Sequence, residues 1–349
     1  MTVRVRYLDE DFPADPYPGA VPPTSYVHLD GVALALRETS SGAELSDGQD
    51  LDDWLTLRGE LPLAGRVPVL AYGSNRCPSK ITWLRDHLGL AGAVVVLRVT
   101  CEDLAAVWAT GLRARDGARP ATLMHAPGVT EEHAVWLATP EQVAVLDVVE
   151  GRGLRYQLAR VRSGRVRLGT GAVLEDVLSY VARAPEREPL VVDGRPVRCV
   201  DLAQADAREL AGEPGTTGLD ATEVLGPPVP AAWPGRVFVY GTLQPGCSAW
   251  SLVAPWVRGR PVPARVPGTL YDTGEGYPGL LLGTGEPVPG HLLELADPVR
   301  ALAALDEYEG EEYRRLRITL ADGVVCWTYV FAAPVAGFRV VPAWPGGHV

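Results

Sequence analysis

Two α+β domains in tandem are what this sequence predicts, on three observations. The first is a doubled turn. RVFVYGTLQPG at 236–246 echoes PVLAYGSN at 68–75, each an apolar run closed by Tyr-Gly and a hydroxyl residue, the pattern of a buried strand ending in a tight glycine turn. The second is a Glu-Gly pair behind each copy, at Glu150-Gly151 and Glu309-Gly310, 78 and 69 positions after Tyr72 and Tyr240. The third is length, because 349 residues suffice for about two domains that each bury a core.

Taken in order, residues 1–65 form an N-terminal extension without a clear period, to which the sequence assigns no role. ADPYPGAVPP is turn-rich, VALALR reads as a strand, and DLDDWLTLRGEL reads as a short Asp-capped helix. The first domain, 66–211, continues from the Tyr72 turn into a helical CPSKITWLRDHLGL and a central strand AVVVLRVT. ATLMHAPG and HAVWLAT then read as two strands parted by a hairpin-like PGVTEE. In TPEQVAVLDVVEG the punctuation specifies a helix: Thr139 at the N-cap, Pro140 at N1, Gln142 at N3 as capping-box partner and Gly151 as left-handed stop. Val143, Leu146 and Val149 make one apolar stripe, and Glu150 falls in the last turn, off it. YQLARVRS and AVLEDVLSYVAR carry the remaining strands, and DLAQADAREL reads as a closing helix. Residues 212–235, rich in Gly and Pro, read as a linker. In the second domain, 236–349, three short strand-like pieces (GTLYDTG, YPGLLLG, GHLLEL) precede the helix DPVRALAALDEYEG. There Asp297 caps, Pro298 starts, Gly310 stops, and Leu302 and Leu305 face the core. YRRLRITL and VCWTYVF alternate as paired strands, and the tail from Pro334 is rich in Pro and Gly.

A net charge of −11 and a pI near 5.1, with Arg scattered rather than striped, argue against nucleic acid or an anionic membrane as the main partner. Five cysteines without a C-x-x-C pair suggest neither a disulfide frame nor a thiolate metal site, and predict reduced, mostly buried thiols. No apolar segment approaches the roughly 20 residues that cross a bilayer, and MTVRVRYLDEDFP lacks a signal-peptide core, so a cytoplasmic location is expected. The 38 Gly and 31 Pro residues, about a fifth of the chain, predict many turns and many short strands.

A glycine turn can leave several backbone N–H groups pointing outward, a ready anion site. A carboxylate at a helix C-terminus opposes the dipole at a cost of a few tenths to about 1 kcal/mol, so stability alone would not choose it. An apolar setting would further raise its pKa and make it a better base near neutrality. For a single copy the plain alternatives are turn chemistry at the glycine and an exposed helix-end Glu; their joint repetition is what favours a site. The six histidines form no metal motif, and no G-x-S-x-G, Walker A or G-x-G-x-x-G after a strand is present. His125, His133 and His291 read as structural.

VFVYGTLQPG, LYDTGEGYPGLLLG, VPGHLLEL and LDEYEGEEYRR, together covering most of 236–333, resemble the gamma-glutamylcyclotransferase-like (AIG2-like) family. AYGSN, EEHAVWLAT and LDVVEGRGLRY of the first half are similar to it too, so the chain reads as two tandem copies. The resemblance implies a small mixed β-barrel with flanking helices in each copy, no metal, no organic cofactor, and a small gamma-glutamyl substrate cleaved by its own α-amine to 5-oxoproline and a free amine. It makes Glu309 and Glu150 the general acid/base. Tyr240, Gly241, Thr242 and Leu243, and Tyr72, Gly73, Ser74 and Asn75, become the loops that hold the substrate carboxylate. Gly279, in the Tyr277-Pro278-Gly279 bend, and the strand tyrosines Tyr329 and Tyr180 join them as pocket residues; a strand tyrosine can equally be core packing. The first copy lacks an evident counterpart of that bend, and Val148 and Val149 stand where the second copy has Glu307 and Tyr308. Two alternatives stay open: a non-catalytic binding or scaffold protein for a small carboxylate metabolite, and an amide hydrolase on the same fold. The oligomeric state is not legible.

Overall fold

One strand order occurs twice in the chain. In the first half, Val67–Ala71 (β1), Val94–Trp108 (β2), Ala121–Ala138 (β3), Tyr156–Val161 (β4) and Leu178–Ala182 (β5) are arranged β4-β5-β1-β3-β2. In the second, Arg236–Val239 (β6), Val257–Asp272 (β7), Pro278–Leu295 (β8), Tyr313–Thr319 (β9) and Val325–Phe331 (β10) are arranged β9-β10-β6-β8-β7. Each set has one parallel pairing, β1 with β5 and β6 with β10, and the rest are antiparallel. The apolar runs before each Tyr-Gly turn are the central strands. β1 is buried at every position, and β6 at all but Arg236, as a strand covered on both faces must be. The computed structural model describes residues 4–345; residues 1–3 and 346–349, the outer ends of the expected extension and second domain, lie outside the described residues.

The architecture is mixed α+β, but the expected barrels do not form: both sheets are open paths. Beyond β2 the first sheet continues into Tyr26–Leu29, Val32–Thr39 and Arg6–Leu8, and beyond β4 into Ala221–Glu223. The outer edge of β2 is thus taken by Tyr26–Leu29 and, further along, by Arg165–Leu168, leaving no hydrogen-bonding edge for β4 to close on. In the second sheet, Arg339–Val341 occupies the outer edge of β7.

Local signals place the helices well. Pro140–Glu150 (α2) has the full capping box, with Thr139 and Gln142 exchanging bonds, and stops at Gly151 with φ 66°. Pro298–Glu309 (α4) is capped by Asp297, whose side chain accepts from the Arg300 N–H, and stops at Gly310 with φ 63°. Pro78–Leu88 (α1) follows the first turn, and the four-residue Trp250–Val253 (α3) follows the second. The short helix expected within 50–61 is Leu51–Thr56 with Asp50 at its cap, shorter than the segment that suggested it.

Three expectations are revised. ATLMHAPG and HAVWLAT are one strand, β3: at the expected break Asp103 (φ 60°) bulges out of β2 and its carboxylate accepts the Gly128 N–H, so a bulge carries the chain past Pro127. YPGLLLG and GHLLEL likewise merge into β8, with a register shift against β7 at Pro267/Gly268. Part of the expected linker is strand: Glu213–Pro214 pairs with Leu190–Val192, and Ala221–Glu223 with β4. The first compact unit accordingly runs from the N-terminal stretch to Pro228, omitting Thr39–Gly42 and Leu63–Gly65, which group with the described residues from Val229 onward. Core Ile81, Leu84, Trp136, Val143 and Leu146 seat α1 and α2 on the first sheet; Val237, Leu302, Leu305 and Trp327 seat α4 on the second. No helix among the described residues is long and apolar enough to cross a membrane.

Candidate functional site

Each unit contains a cavity where its Tyr-Gly turn meets its helix-end glutamate. In the second unit the cavity, about 210 Å³, is lined by Tyr240, Gly241, Thr242, Leu243, Glu309 and Tyr329, with Tyr277, Pro278, Tyr308, Glu312 and Tyr313 around them. In the first unit it is about 610 Å³, and Tyr72, Gly73, Ser74, Asn75, Glu150 and Tyr180 are on its wall. Of the residues singled out in the sequence only Gly279 is off the walls. A Cβ there would stand 2.9 Å from Cγ of the Phe331 ring, so this glycine lets β8 pass under an aromatic, while its neighbours Tyr277 and Pro278 line the cavity.

The turns are held by one wiring scheme used twice. Tyr72 donates its hydroxyl to the Tyr180 carbonyl at 2.6 Å, and Tyr180 donates to Asp147 Oδ1 at 2.6 Å. Tyr240 donates to the Tyr329 carbonyl at 2.8 Å, and Tyr329 to Asp306 Oδ1 at 2.8 Å. Asp147 and Asp306 each lie three residues before the glutamate and each pair with an arginine, Arg152 and Arg315, at 2.9 and 2.8 Å. This chain ties central strand, late strand and helix end together, so the turn and the glutamate share one rigid mount. The tyrosines therefore serve the core and the cavity at once. Burial and the aspartate hold both late-strand phenols well above their ordinary pKa, which keeps them hydrogen-bond donors. The sequence reading missed the two aspartates; their common spacing before Glu-Gly was the available signal.

Both turn glycines are closely approached. A Cβ on Gly241 would meet Pro278 Cγ at 2.7 Å, and one on Gly73 would meet the Tyr17 hydroxyl at 2.5 Å. Among the described residues no acceptor is found for the backbone N–H groups of Gly73, Ser74 and Asn75 or of Gly241, Thr242 and Leu243, which leaves them as donors toward an anion. Trp136 Nε1 donates to the Asn75 carbonyl at 2.8 Å, and Tyr26 donates to Arg76 O at 2.8 Å. Tyr17, also on the cavity wall, accepts the Ala121 N–H at 3.0 Å. The N-terminal stretch, to which the sequence assigned no role, thus buttresses the first turn.

The two glutamates differ. Glu309 is half-buried with no hydrogen-bond partner among the described residues, and burial pushes its carboxyl up to about 7, the range of an effective general base. Glu150 is also raised by burial, but it accepts a bond from Asn75 Nδ2 at 2.7 Å and lies in the field of Lys80, Arg155 and Arg187, all of which favour its ionised form. Thr242 Oγ1 lies 3.0 Å from the Tyr308 hydroxyl, and Tyr277 donates to Glu312 at 2.7 Å, so the second wall is largely phenolic. Cys77, Cys101 and Cys326 are buried thiols. His133 and His291 are buried in the core; His291 Nδ1 is 3.1 Å from Gln244 Oε1.

Residues 237–343 match the family model described as gamma-glutamyl cyclotransferase, AIG2-like. This is about a third of the chain, and it does not extend over residues 66–211. No curated protein matches the sequence. Among solved structures, the chain is similar to an AIG2-like protein from Mus musculus (25% identity, 31% of this chain and 86% of that one, TM-score 0.26) and to c4763, a uropathogenic E. coli-specific protein (23%, 31% and 87%, TM-score 0.28). A Kluyveromyces lactis allophanate hydrolase aligns over 71% of this chain and 31% of its own, at 14% identity and TM-score 0.27.

Proposed function

We propose that the chain is a cyclotransferase that cleaves a gamma-glutamyl amine or peptide into 5-oxoproline and the free amine, with Glu309 the general acid/base of the second unit and Glu150 its counterpart in a duplicated first unit. The observation that carries this reading is the pairing, in each cavity, of a half-buried carboxylate with a turn whose N–H groups are free to donate. The turn holds the substrate's α-carboxylate. The glutamate takes a proton from the α-ammonium, the freed amine attacks the gamma-carbonyl carbon, and a C–N bond closes the five-membered ring. As the old amide C–N bond breaks, the leaving nitrogen receives the protons released by the attacking one. No water is consumed and no electrons change hands. Because the attack is intramolecular, a folded substrate and one movable proton are sufficient.

The chemistry is tested by incubating the full chain with gamma-glutamyl amines and assaying 5-oxoproline. Glu309→Gln and Glu150→Gln should each remove the turnover of their own cavity. Wild-type rates in both variants and in the double variant would overturn the assignment of the base, and glutamate as product would point to hydrolysis. For the first cavity a second reading is favoured by the Asn75–Glu150 bond and the surrounding cations. A carboxylate so stabilised is a weaker base, and the cavity then serves to bind a small acid without converting it. Saturable binding of such an acid with no product from that cavity would select this reading.

A further inference from the structure

Two cations of the first unit are buried with donors unspent. Lys80, on α1, is 8% exposed and lines the cavity. Its ammonium lies 3.6 Å from the centroid of the Trp83 ring and has no hydrogen bond or ion pair among the described residues. Arg187 is 6% exposed and lines the same cavity; its Nη1 reaches only the neighbouring Glu186 carbonyl at 3.2 Å, and its Nε is buried without a partner. Arg113 and Arg115, also on the wall, share one carboxylate, Asp116, at 3.0 and 3.1 Å. Arg155 spends its donors on the carbonyls of Val149 and Glu150. Five cations thus face two carboxylates, Glu150 and Glu186, on this wall, in a chain whose net charge is −11.

An ammonium withdrawn from water without a counter-ion is unfavourable, and a ring face returns only part of what hydration supplied. Glu150 feels Lys80 and Arg187 without a hydrogen bond to either, and the wall therefore holds more positive charge than its carboxylates neutralise. The second cavity has none: no Lys or Arg lines it, and its charged residues are Glu309 and Glu312.

We propose that Lys80 and Arg187, flanked by Arg113 and Arg115, form an anion subsite in the first cavity for a carboxylate or phosphate distinct from the carboxylate held by the Gly73–Asn75 turn. Resting on the proposed cyclotransferase reading, this makes the first unit selective for gamma-glutamyl compounds whose amine half bears an acid, and the second for neutral or cationic amine halves. An acid in the first cavity completes charge-assisted hydrogen bonds that no protein group supplies.

The test uses calorimetric titration of the full chain carrying Glu150→Gln, with and without Lys80→Gln. The probes are gamma-glutamyl-aspartate, gamma-glutamyl-propylamine, tricarballylate and inorganic phosphate. Gln has nearly the helix propensity of Lys, so Lys80→Gln removes a buried charge without breaking α1, and an unchanged or higher melting temperature verifies the fold; Arg187→Gln provides a second, independent lesion. The expected result is that gamma-glutamyl-aspartate binds roughly 10-fold or more tightly than gamma-glutamyl-propylamine at low salt, that tricarballylate or phosphate binds, and that either substitution reduces both effects to within about 2-fold of background. Equal affinity for the two gamma-glutamyl compounds, with anion binding absent or insensitive to Lys80, overturns the subsite while leaving the proposed reaction standing. Lys80-dependent anion binding in a protein that neither binds nor converts any gamma-glutamyl compound does the reverse.

Discussion

In the first unit the space before Glu150 is about 610 Å³ and walled by Lys80, Arg113, Arg115, Arg155 and Arg187. In the second the space before Glu309 is about 210 Å³ and walled by tyrosines and acids. Both sit on the same five-strand order and the same tyrosine-to-aspartate wiring. The difference teaches that frame and wall are separable. The frame sets where a turn and a carboxylate meet, whereas the charge brought in by α1, by the 113–115 loop and by the 185–187 turn sets what can enter and how strongly the carboxylate attracts a proton.

The largest expected effect is on Glu309. Removing a positioned acid/base costs about 10²–10⁴-fold in rate, so Glu309→Gln should abolish 5-oxoproline release from a gamma-glutamyl amine with a neutral leaving group. Little change with such a substrate would locate the chemistry in the first cavity and invert the comparison. The pH profile sharpens it. Glu309 must be ionised to accept a proton, and with its carboxyl near 7 turnover in the second cavity should climb through about pH 7 and level off above it. Glu150 is also raised by burial but opposed by Asn75 and three cations, and the offset between the two profiles measures what that bond and those cations do.

Stability responds with the opposite sign. The folded pKa of Glu309 lies above its unfolded value, so its contribution is fully present below the unfolded pKa and is lost as pH rises through about 7. Glu309→Gln should accordingly stabilise the protein at pH 8, by on the order of 1–2 kcal/mol once partial exposure is allowed for, and should do little at pH 4; thermal melts at both pH values decide it. Asp147→Asn and Asp306→Asn each weaken a short bond from a buried phenol and an ion pair, and each should cost about 1–3 kcal/mol in denaturant titrations. Equal costs would show that the two frames are energetically alike; a large asymmetry would show that only one depends on its aspartate. The smallest contrast is steric. Gly241→Ala meets a proline ring and should cost about 1–3 kcal/mol. Gly73→Ala meets the movable end of Tyr17 and should cost less, read as the difference between two melting curves.

Much of the site was legible because its grammar is local. Tyr-Gly after an apolar run marks a strand that must turn, and the Thr139-Pro140-Gln142 and Asp297-Pro298 starts with Gly151 and Gly310 stops mark helices whose last side chains are Glu150 and Glu309. The misreadings are equally physical. PGVTEE looks like a hairpin because Pro and Gly usually end strands, but the carboxylate of Asp103, 25 positions before Gly128 in sequence, accepts the Gly128 N–H and bridges the bulge. The barrels were expected from a resemblance and are absent because Tyr26–Leu29 in the first sheet and Arg339–Val341 in the second occupy the edge that closure would need.

By itself the sequence determined where strands end, where helices start and stop, and which glutamates close them, since caps, turns and glycine conformations depend on residues a few positions apart. Only the tertiary structure decided that Tyr17 would stand over Gly73, that Asp147 and Asp306 would anchor the late tyrosines, and that Lys80 and Arg187, 107 positions apart in the chain, would face one cavity. Those meetings are set by strand order and packing, which hold together residues that no local rule relates.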